Sequence, residues 1–236
     1  MNNKKILITG INGFVGACLR QLINANFSKT RIFGIDKVSK PNDLESISLD
    51  LLDSTAVQKF IHDIHPDYIF HLAGVIYSQD WNTLYRGNVQ TTIHLIEAVR
   101  ESCLNCRVVI PGSAAEYGNV AACDMPITEN HLPNPISPYG VSKLWQTTIA
   151  QYYFNRGVDV VTGRMFNLIG KGVSDNLVIG AIIKQIKKIK NGQAAPTIFV
   201  GNTKPKRDFI DLIDACDGLV HLALEGGSGE VYNICS

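Results

Sequence analysis

A phenol and an ammonium group lie four residues apart in the segment SPYGVSK (137–143), at Tyr139 and Lys143. If this segment is helical, residues with that spacing project from one face of the helix. An ammonium near a phenol favours the phenolate and lowers the tyrosine pKa, and a tyrosine tuned in this way can pass a proton to or from a substrate oxygen. A tyrosine–lysine pair on a helix is often incidental, so its meaning depends on what the chain places around it.

A hydroxyl that suits the same chemistry lies upstream, in the segment IPGSAAEYG (110–118). Ser113 follows the apolar strand RVVI (107–110), and open parallel sheets bind ligands in the crevice at the carboxyl ends of their strands. The Ser113 hydroxyl could hold in place the oxygen that Tyr139 protonates. We therefore expect Ser113, Tyr139 and Lys143 to act on one substrate atom.

The segment GINGFVG (10–16) separates a predicted strand from a predicted helix. Glycines there permit a tight turn and a close backbone approach to a pyrophosphate, which the N–H groups of the helix would bind. Asp36 ends the second predicted strand, at about the twenty-residue spacing at which a carboxylate accepts hydrogen bonds from ribose hydroxyls and repels a 2′-phosphate. This pattern favours NAD over NADP, although Lys37 could help to bind a phosphate. A tight turn without a ligand is the alternative.

Strands and helices alternate through the first part of the chain, which predicts βαβ units, right-handed crossovers and a parallel sheet with helices on both faces. The predicted strands are 4–9, 31–36, 67–74, 107–110 and 158–164, and the predicted helices are 14–25, 53–64, 82–102 and 136–155. After Arg164 the pattern loosens into helices near 176–191 and 211–224 and short strands at 197–200 and 230–235. We predict an α/β fold, a Rossmann-type doubly wound parallel sheet over 1–164, with a small, shortened C-terminal substrate region over 165–236 whose strands and helices partly return to that body.

The bulk composition excludes several classes of partner. Lysine plus arginine total 22 and aspartate plus glutamate total 21, so no strong field favours nucleic acid or an anionic membrane. No apolar run reaches membrane-spanning length, and the first strand begins at Lys4, which leaves no room for a signal peptide. Cys103 and Cys106 form a lone C-x-x-C pair, better explained by packing than by a metal or redox site. We expect a reduced, cytoplasmic protein without a metal site.

Taken together, the motifs resemble the extended short-chain dehydrogenase/reductase family, also called the NAD-dependent epimerase/dehydratase family. In family order, the matching segments are TGINGFVG (9–16), HLAG (71–74), GNVQTTIHLIEAV (87–99), GSAAEYG (112–118), PYGVSK (138–143), RMFNLIGKG (164–172) and RDFIDLIDA (207–215). The resemblance implies a Rossmann domain, a smaller region that binds a nucleotide-sugar, and Ser113, Tyr139 and Lys143 as the catalytic set. It also implies a homodimer that packs helices 82–102 and 136–155 against their counterparts.

The resemblance assigns binding roles position by position. It implies cofactor contacts at Gly10, Asn12, Gly13, Phe14, Val15, Gly16, Asp36, Asp50, Leu51, Leu72, Ala73, Gly74, Tyr139 and Lys143. It implies substrate contacts at Ser113, Asn167, Asn176 and Arg207. From the residues alone, Arg207 could equally be a solvated surface charge and Asn167 a turn residue.

The residues that follow Ser113 bear on the reaction. Family members that dehydrate sugars carry acidic groups where this chain has Ala114 and Ala115, and a methyl group cannot transfer a proton. We expect Glu116, one place later, to point elsewhere, so a 4,6-dehydratase is disfavoured. Reduction of a 4-keto sugar, or its reverse, and 4-epimerisation need only the serine, tyrosine, lysine and cofactor.

Stretches such as NPISPYGVSK (134–143) are most similar to reductases of GDP-4-keto-6-deoxy-mannose, so we place a reductase first and a 4-epimerase second. Thymidine and cytidine sugars stay open as substrates. Relatives continue for some tens of residues beyond the strand that matches EVYNIC (230–235), so we expect a fragment, a truncated chain or a naturally short one. A dinucleotide-binding regulator without turnover is the third interpretation.

Overall fold

The computed structural model describes residues 1–38, 45–102 and 105–236. The strands are β1 Lys5–Thr9, β2 Arg31–Asp36, β3 Ser46–Ser48, β4 Tyr68–His71, β5 Arg107–Ser113, β6 Val160–Met165, β7 Asn167–Ile169, β8 Phe209–Asp211 and β9 Val231–Ile234. The helices are α1 Phe14–Asn26, α2 Ser54–Ile64, α3 Trp81–Leu84, α4 Thr91–Glu101, α5 Pro138–Phe154, α6 Val178–Lys190 and α7 Leu212–Glu225. A π-helical segment, Tyr85–Gln90, joins α3 to α4, and Ala114–Glu116 forms a short 3₁₀ turn.

The main sheet confirms the predicted fold class. Its seven strands lie in the order β3-β2-β1-β4-β5-β6-β9, and every neighbouring pair is parallel. The chain leaves β1 towards one edge through β2 and β3, and later fills the other edge from β4 onward. The order therefore reverses between β1 and β4, and such a switch point opens a ligand crevice at the carboxyl ends of the strands. Strands β7 and β8 form a separate parallel pair.

Both faces of the main sheet are covered, as the continuous apolar strands of parallel sheets require. Side chains alternate along β1, so that Ile6 and Ile8 join the core beneath α1 and α7, while Leu7 joins the core beneath α2, α4 and α5. All three side chains are fully buried. These two cores fix α5 on one face of the sheet, above β5 and β6.

Local capping chemistry sets where the helices begin. Asp53 accepts a hydrogen bond from the Ala56 N–H at 3.0 Å, so it is the cap of α2. Ser137 accepts one from the Gly140 N–H at 3.0 Å, and Pro138 occupies the first helical position. Helix α5 therefore begins two residues later than predicted, with Tyr139 in its first turn.

Several predicted boundaries and elements differ from the structure. Residues 197–200 were predicted as a strand but pair with no strand, because the side chain of Gln185 bonds the Phe199 N–H at 2.8 Å and the Phe199 carbonyl at 2.9 Å. Strands β3, β7 and β8 were not predicted, since three residues are too few to show a periodic pattern. Strand β4 ends at His71, three residues before the predicted end at residue 74, because residues 72–74 leave the sheet and line a cavity.

The residues that the structure describes contain neither a membrane-spanning helix nor a cluster of metal-binding side chains. No helix within 1–38, 45–102 or 105–236 is long and apolar enough to cross a membrane. The same residues contain no group of three His, Cys, Asp or Glu side chains that could hold a metal ion. Cys103 lies outside the described residues, and Cys106 is a buried free thiol.

Candidate active site

The glycine loop forms a cradle of bare backbone at the switch point. Gly10 has a φ of +69°, and a Cβ atom there would lie 2.8 Å from the Ala73 nitrogen. A Cβ atom on Gly16 would collide with the Gly10 carbonyl. Gly13 precedes α1 and has no side chain to cap it, so the first N–H groups of the helix are left for a ligand. Such a helix terminus attracts anions, and these residues therefore fit a dinucleotide pyrophosphate.

A cavity of about 620 Å³ opens beside this cradle. The predicted cofactor residues that line it are Gly10, Gly13, Asp36, Asp50, Leu51, Leu72, Ala73 and Gly74. Asn12, Phe14, Val15, Gly16, Tyr139 and Lys143 do not line this cavity and lie around the cradle or on α5. The structure thus gathers most of the predicted cofactor set around one cavity at the switch point.

The Asp36 carboxylate is held against the glycine loop. One oxygen accepts the Asn12 N–H at 3.1 Å, and the other accepts the Lys37 N–H at 2.8 Å. The Asn12 side chain donates to the Val38 carbonyl at 3.1 Å and to the Ser46 hydroxyl at 3.0 Å, which ties the loop to β3 as well. The carboxylate is therefore oriented at the cavity where ribose hydroxyls would be bound.

The three residues predicted to carry the chemistry lie on two neighbouring elements. Ser113 is the last residue of β5, while Tyr139 and Lys143 occupy successive turns of α5. The Ser113 side chain lies near enough to the Tyr139 phenol to lower its pKa. The Lys143 ammonium is buried and donates to the Gln146 carbonyl oxygen at 2.6 Å. The structure therefore brings the two hydroxyl groups together and directs the ammonium along its own helix.

Desolvation shifts the pKa of both groups on α5, where Lys143 is buried and Tyr139 is partly buried. Desolvation, with smaller contributions from Glu116 and Tyr77, raises the pKa of Tyr139 to about 12 against an opposing effect of the Ser113 side chain. Desolvation lowers the pKa of Lys143 to about 8, and the Glu116 carboxylate opposes that fall. The lowering of the tyrosine pKa by Lys143, which we expected from their spacing, does not govern the phenol here. At neutral pH the phenol holds its proton and can act as an acid.

A buried chain of hydrogen bonds runs from Lys143 back to the cavity. The Gln146 side-chain amide donates a hydrogen bond to the Thr92 hydroxyl at 2.7 Å. The Thr92 hydroxyl in turn donates to the backbone carbonyl of Asn88 at 2.6 Å. His71 Nε2 lies 3.0 Å from the same hydroxyl, and His71 Nδ1 lies 2.8 Å from the Thr9 hydroxyl. The Thr92 proton is already committed to a carbonyl, so His71 Nε2 is the donor to the Thr92 hydroxyl, and in a neutral ring Nδ1 then accepts from the Thr9 hydroxyl. A neutral imidazole at this position therefore carries its proton on Nε2.

The far end of this chain supports the cavity wall. Thr9 and His71 are the last residues of β1 and β4, paired in register across the switch point. The Thr9 hydroxyl accepts the Ala73 N–H at 3.1 Å, and Ala73 lines the cavity. Burial, with a smaller contribution from the charge of Lys143, lowers the pKa of His71 to about 3, which keeps the ring neutral at neutral pH.

Asn88 clamps the same wall to α5. It lies in the π-helical segment, and such insertions often occur at functional sites. The side-chain carbonyl oxygen of Asn88 accepts the Val75 N–H at 2.6 Å. Its side-chain amide donates to the Val75 backbone carbonyl and to the Ser142 hydroxyl, each at 2.9 Å. The cavity wall and the helix that carries Tyr139 are therefore held together by one side chain.

The predicted substrate residues are less closely grouped. Asn167, on β7, donates to the Asp208 carbonyl at 2.7 Å, and the register of β7 with β8 brings it opposite Phe209. Arg207 is exposed in the segment just before β8. Asn176 lies in a separate exposed turn before α6, where its N–H donates to the Ser174 hydroxyl at 3.3 Å. Asn167 and Arg207 are thus brought near one edge of the small sheet, while Asn176 is on another loop.

Sequence reasoning did not assign roles to several polar residues of this site. Glu116 and Arg164 form an ion pair at 2.8 Å, with side chains 0% and 5% exposed. His71 and Thr92 are also fully buried. A sequence signal for some of them did exist, because a polar residue that ends an otherwise apolar strand, such as His71 in YIFH, must find a partner in the interior.

Fold and site together define a dinucleotide-binding enzyme with a serine, tyrosine and lysine at the carboxyl edge of its sheet. The family model for the NAD dependent epimerase/dehydratase family matches residues 6–235. The chain belongs to this family, as its motifs predicted.

Individual relatives agree with this assignment. The chain is 30% identical over 238 residues to GDP-6-deoxy-D-mannose reductase from Pseudomonas aeruginosa, a match that covers 99% of this chain and 75% of the relative. The solved structure of RMD from Pseudomonas aeruginosa complexed with NADPH is similar, with a TM-score of 0.87, 29% identity, and coverage of 99% of this chain and 78% of that chain. The solved structure of UDP-glucuronic acid 4-epimerase from Bacillus cereus, in complex with UDP-glucuronic acid and NAD, is also similar to this chain, with a TM-score of 0.84 and 28% identity. The match covers 98% of this chain and 77% of that chain.

Proposed function

We propose that this protein reduces the 4-keto group of an NDP-4-keto-6-deoxyhexose with NAD(P)H, and that GDP-4-keto-6-deoxy-mannose is the first substrate to test. The observation that carries this proposal is the grouping of Ser113, at the end of β5, with Tyr139 and Lys143 on successive turns of α5, next to alanines at 114 and 115. Such a site can protonate an oxygen but offers no acid at 114 or 115 to expel a hydroxyl from a neighbouring carbon.

The residues support reduction step by step. When bound, the nicotinamide cofactor supplies a hydride to the carbonyl carbon. Tyr139 holds its proton at neutral pH, because its pKa is raised to about 12, and gives it up only to an oxygen that is becoming an alkoxide. Ser113 is placed to hydrogen-bond the same oxygen, and Lys143 contributes a positive charge to the site. The cavity residues Gly10 and Asp36 would hold the dinucleotide.

The division of labour along the chain is part of the proposal. Residues 1–164 would bind the dinucleotide, and residues 165–236 would contribute to the nucleotide-sugar site through Asn167, Asn176 and Arg207. The pairing of β7 with β8, which brings the Asn167 strand beside the end of the Arg207 segment, supports this role. The similarity to GDP-6-deoxy-D-mannose reductase supports the guanosine sugar.

A 4-epimerase is the second candidate, because it needs the same serine, tyrosine and lysine. The similarity to UDP-glucuronic acid 4-epimerase, at a TM-score of 0.84, favours it specifically. A dinucleotide-binding regulator without turnover is the third.

One set of assays separates the three. Purified protein is mixed with GDP-4-keto-6-deoxy-mannose, and the oxidation of NADH and NADPH is followed separately, with Tyr139→Phe as the inactive control. We expect cofactor oxidation by the natural protein and almost none by the variant. Oxidation of neither cofactor, together with interconversion of a UDP-hexose pair, would support the epimerase instead. Dinucleotide binding without turnover of any nucleotide-sugar would support the regulator.

We also propose a homodimer through the helices that we predicted at 82–102 and 136–155. An exposed aromatic face supports it: Trp81 and Trp145 are 50% and 41% exposed, and their ring centroids lie 6.0 Å apart. Tyr85 and Tyr152 extend the same exposed set. Sedimentation of the natural protein and of Trp145→Lys is the test, and we expect a dimer and a monomer respectively. A monomeric natural protein would refute this contact.

A cytoplasmic location completes the proposal. Cys18, Cys106, Cys123, Cys216 and Cys235 are all free thiols, and free thiols persist in reducing compartments. Fractionation of the cells that make the protein tests this location.

A further inference from the structure

Glu116 is fully buried and holds together three elements around the proposed catalytic residues. One carboxylate oxygen accepts the Ser113 N–H at 2.8 Å, at the end of β5. The other accepts the Thr147 hydroxyl of α5 at 3.0 Å and Arg164 Nε of β6 at 2.8 Å. A buried carboxylate is stable only with such partners, since its solvation by water is lost.

The position of these bonds matters for the site. Thr147 lies one helical turn beyond Lys143, so the Glu116 carboxylate connects the backbone of Ser113 to the helix that carries Tyr139 and Lys143. The Ser113 hydroxyl is fixed from a second direction, because it accepts the Ala115 N–H at 3.2 Å. The side chain of Glu116 therefore restrains the strand end that carries one hydroxyl against the helix that carries the other.

Gly112 leaves space beside β5 for the ion pair of Glu116 and Arg164. A Cβ atom on Gly112 would lie 2.7 Å from a Glu116 carboxylate oxygen and 3.0 Å from Arg164 Cγ. Only a glycine therefore fits between the ion pair and the strand. Arg164 is itself held by the Tyr117 hydroxyl at 3.0 Å, with its guanidinium carbon 4.7 Å from the centre of the Tyr117 ring.

We propose that Glu116 is a positioning residue: its carboxylate sets the distance between Ser113 and α5 and keeps a negative charge beside Lys143. This inference rests on the proposed function for the meaning of the site. It does not depend on which nucleotide-sugar is the substrate.

The charge of Glu116 reaches both groups on α5. Besides burial, Glu116 is the group that shifts the Lys143 pKa, and it raises it. It also raises the pKa of Tyr139, which Tyr77 raises further. From β4, His71 faces Lys143, whose charge lowers the His71 pKa. Arg164 of β6 faces Glu116 and forms an ion pair with it at 2.8 Å.

The test compares three single substitutions by two measurements. Glu116→Gln removes the charge, Glu116→Asp keeps the charge and shortens the reach, and Thr148→Val is the matched control. Thr148 is an exposed neighbour on α5 whose hydroxyl donates only to the Leu144 carbonyl, at 2.9 Å. The first measurement is the titration of Lys143 by NMR of ¹³C-labelled lysine side chains, with Lys143→Arg to assign the signal. The second is kcat with binding of NADH measured alongside.

If Glu116 positions the site, the Lys143 titration midpoint and kcat respond to different substitutions. In Glu116→Gln, the Lys143 midpoint falls from about 8 by about one pH unit, because the stabilising anion is gone. In Glu116→Asp the midpoint stays, but kcat falls by about tenfold or more while the Kd for NADH changes by less than about twofold, because a displaced hydroxyl slows the reaction. Thr148→Val leaves both measurements unchanged.

A merely structural ion pair gives other results. An unchanged Lys143 midpoint in folded Glu116→Gln overturns the electrostatic part, and wild-type kcat in Glu116→Asp overturns the positioning part. If Glu116→Gln does not fold, the double variant with Arg164→Gln removes both buried charges and carries the same titration. The titration needs no turnover, so an absence of reductase activity would sink the proposed function and leave the inference about Glu116 to be decided separately.

Discussion

Replacement of His71 by glutamine is expected to make the stability of the protein less sensitive to acid. The imidazole is fully buried at the end of β4, with Nε2 at 3.0 Å from the Thr92 hydroxyl and Nδ1 at 2.8 Å from the Thr9 hydroxyl. Burial and the charge of Lys143 lower its pKa from 6.5 to about 3. The folded protein therefore resists a proton that the unfolded chain accepts readily.

The sign and size of the effect follow from linkage between protonation and folding. The unfolded chain gains a proton below its pKa of 6.5, whereas the folded state gains it only near 3, so stability is lost as the pH falls through this window. At about 1.4 kcal/mol for each pH unit, the contribution of His71 to the free energy of unfolding falls by about 2 kcal/mol from about pH 7 to about pH 5. The full window corresponds to about 5 kcal/mol.

The assay is urea unfolding of the natural protein and of His71→Gln at several pH values. Glutamine does not titrate, and it can still donate and accept hydrogen bonds, so its curve should be flatter by about 2 kcal/mol over that pH range whatever its stability at neutral pH. His62→Gln, which changes an exposed histidine on α2, should follow the natural protein. Parallel curves for the natural protein and His71→Gln would refute the reasoning, because they would mean that the buried ring is not held neutral.

Four further outcomes are expected. Tyr139→Phe should lower kcat by about a hundredfold or more with dinucleotide binding retained; near-normal turnover would remove the phenol from the mechanism. Activity should fall as the pH rises through about 8, because Lys143 loses its charge there, and a kcat/KM profile still flat well above that pH would contradict it. Asp36→Ala should raise the kcat/KM ratio of NADPH to NADH by about tenfold, since a repulsive carboxylate is removed; an unchanged ratio would argue against its place at the ribose. Gly16→Ala should abolish NADH binding in a fluorescence titration, because its Cβ collides with the Gly10 carbonyl, while Gly201→Ala, in open space, should bind normally; equal affinities would show that the loop is not the cradle.

The parts of the fold that the sequence predicts are those that repeat a pattern. The apolar strand β1, the glycine turn after it and the amphipathic α2 each carry several residues that agree on one structure, and so the parallel sheet and its switch point could be inferred. The three-residue strands β3, β7 and β8 were missed because they exist through their neighbours rather than through their own composition. The segment 197–200 shows the reverse case, since its strand-like composition is met by the side chain of Gln185.

Some features of the candidate site could likewise be predicted from the sequence, and others could not. The positions of Ser113 at the end of a strand and of Tyr139 and Lys143 on one helix could be predicted, because these residues stand at informative spacings. Their protonation could not be found, because it depends on burial that only the packed structure reveals. The spacing of Tyr139 and Lys143 indicated a lowered tyrosine pKa, yet desolvation raises it to about 12.

That difference concerns the resting protonation state of the phenol. A tyrosine with a lowered pKa would be a ready base and would suit removal of a proton from a sugar hydroxyl. A tyrosine held protonated by burial and by the Glu116 carboxylate suits delivery of a proton to an oxygen that gains charge. The same carboxylate helps Lys143 to stay charged against the penalty of burial. The polar residues beneath the site therefore support a proton donor beside a cation, an arrangement that fits the reduction proposed above.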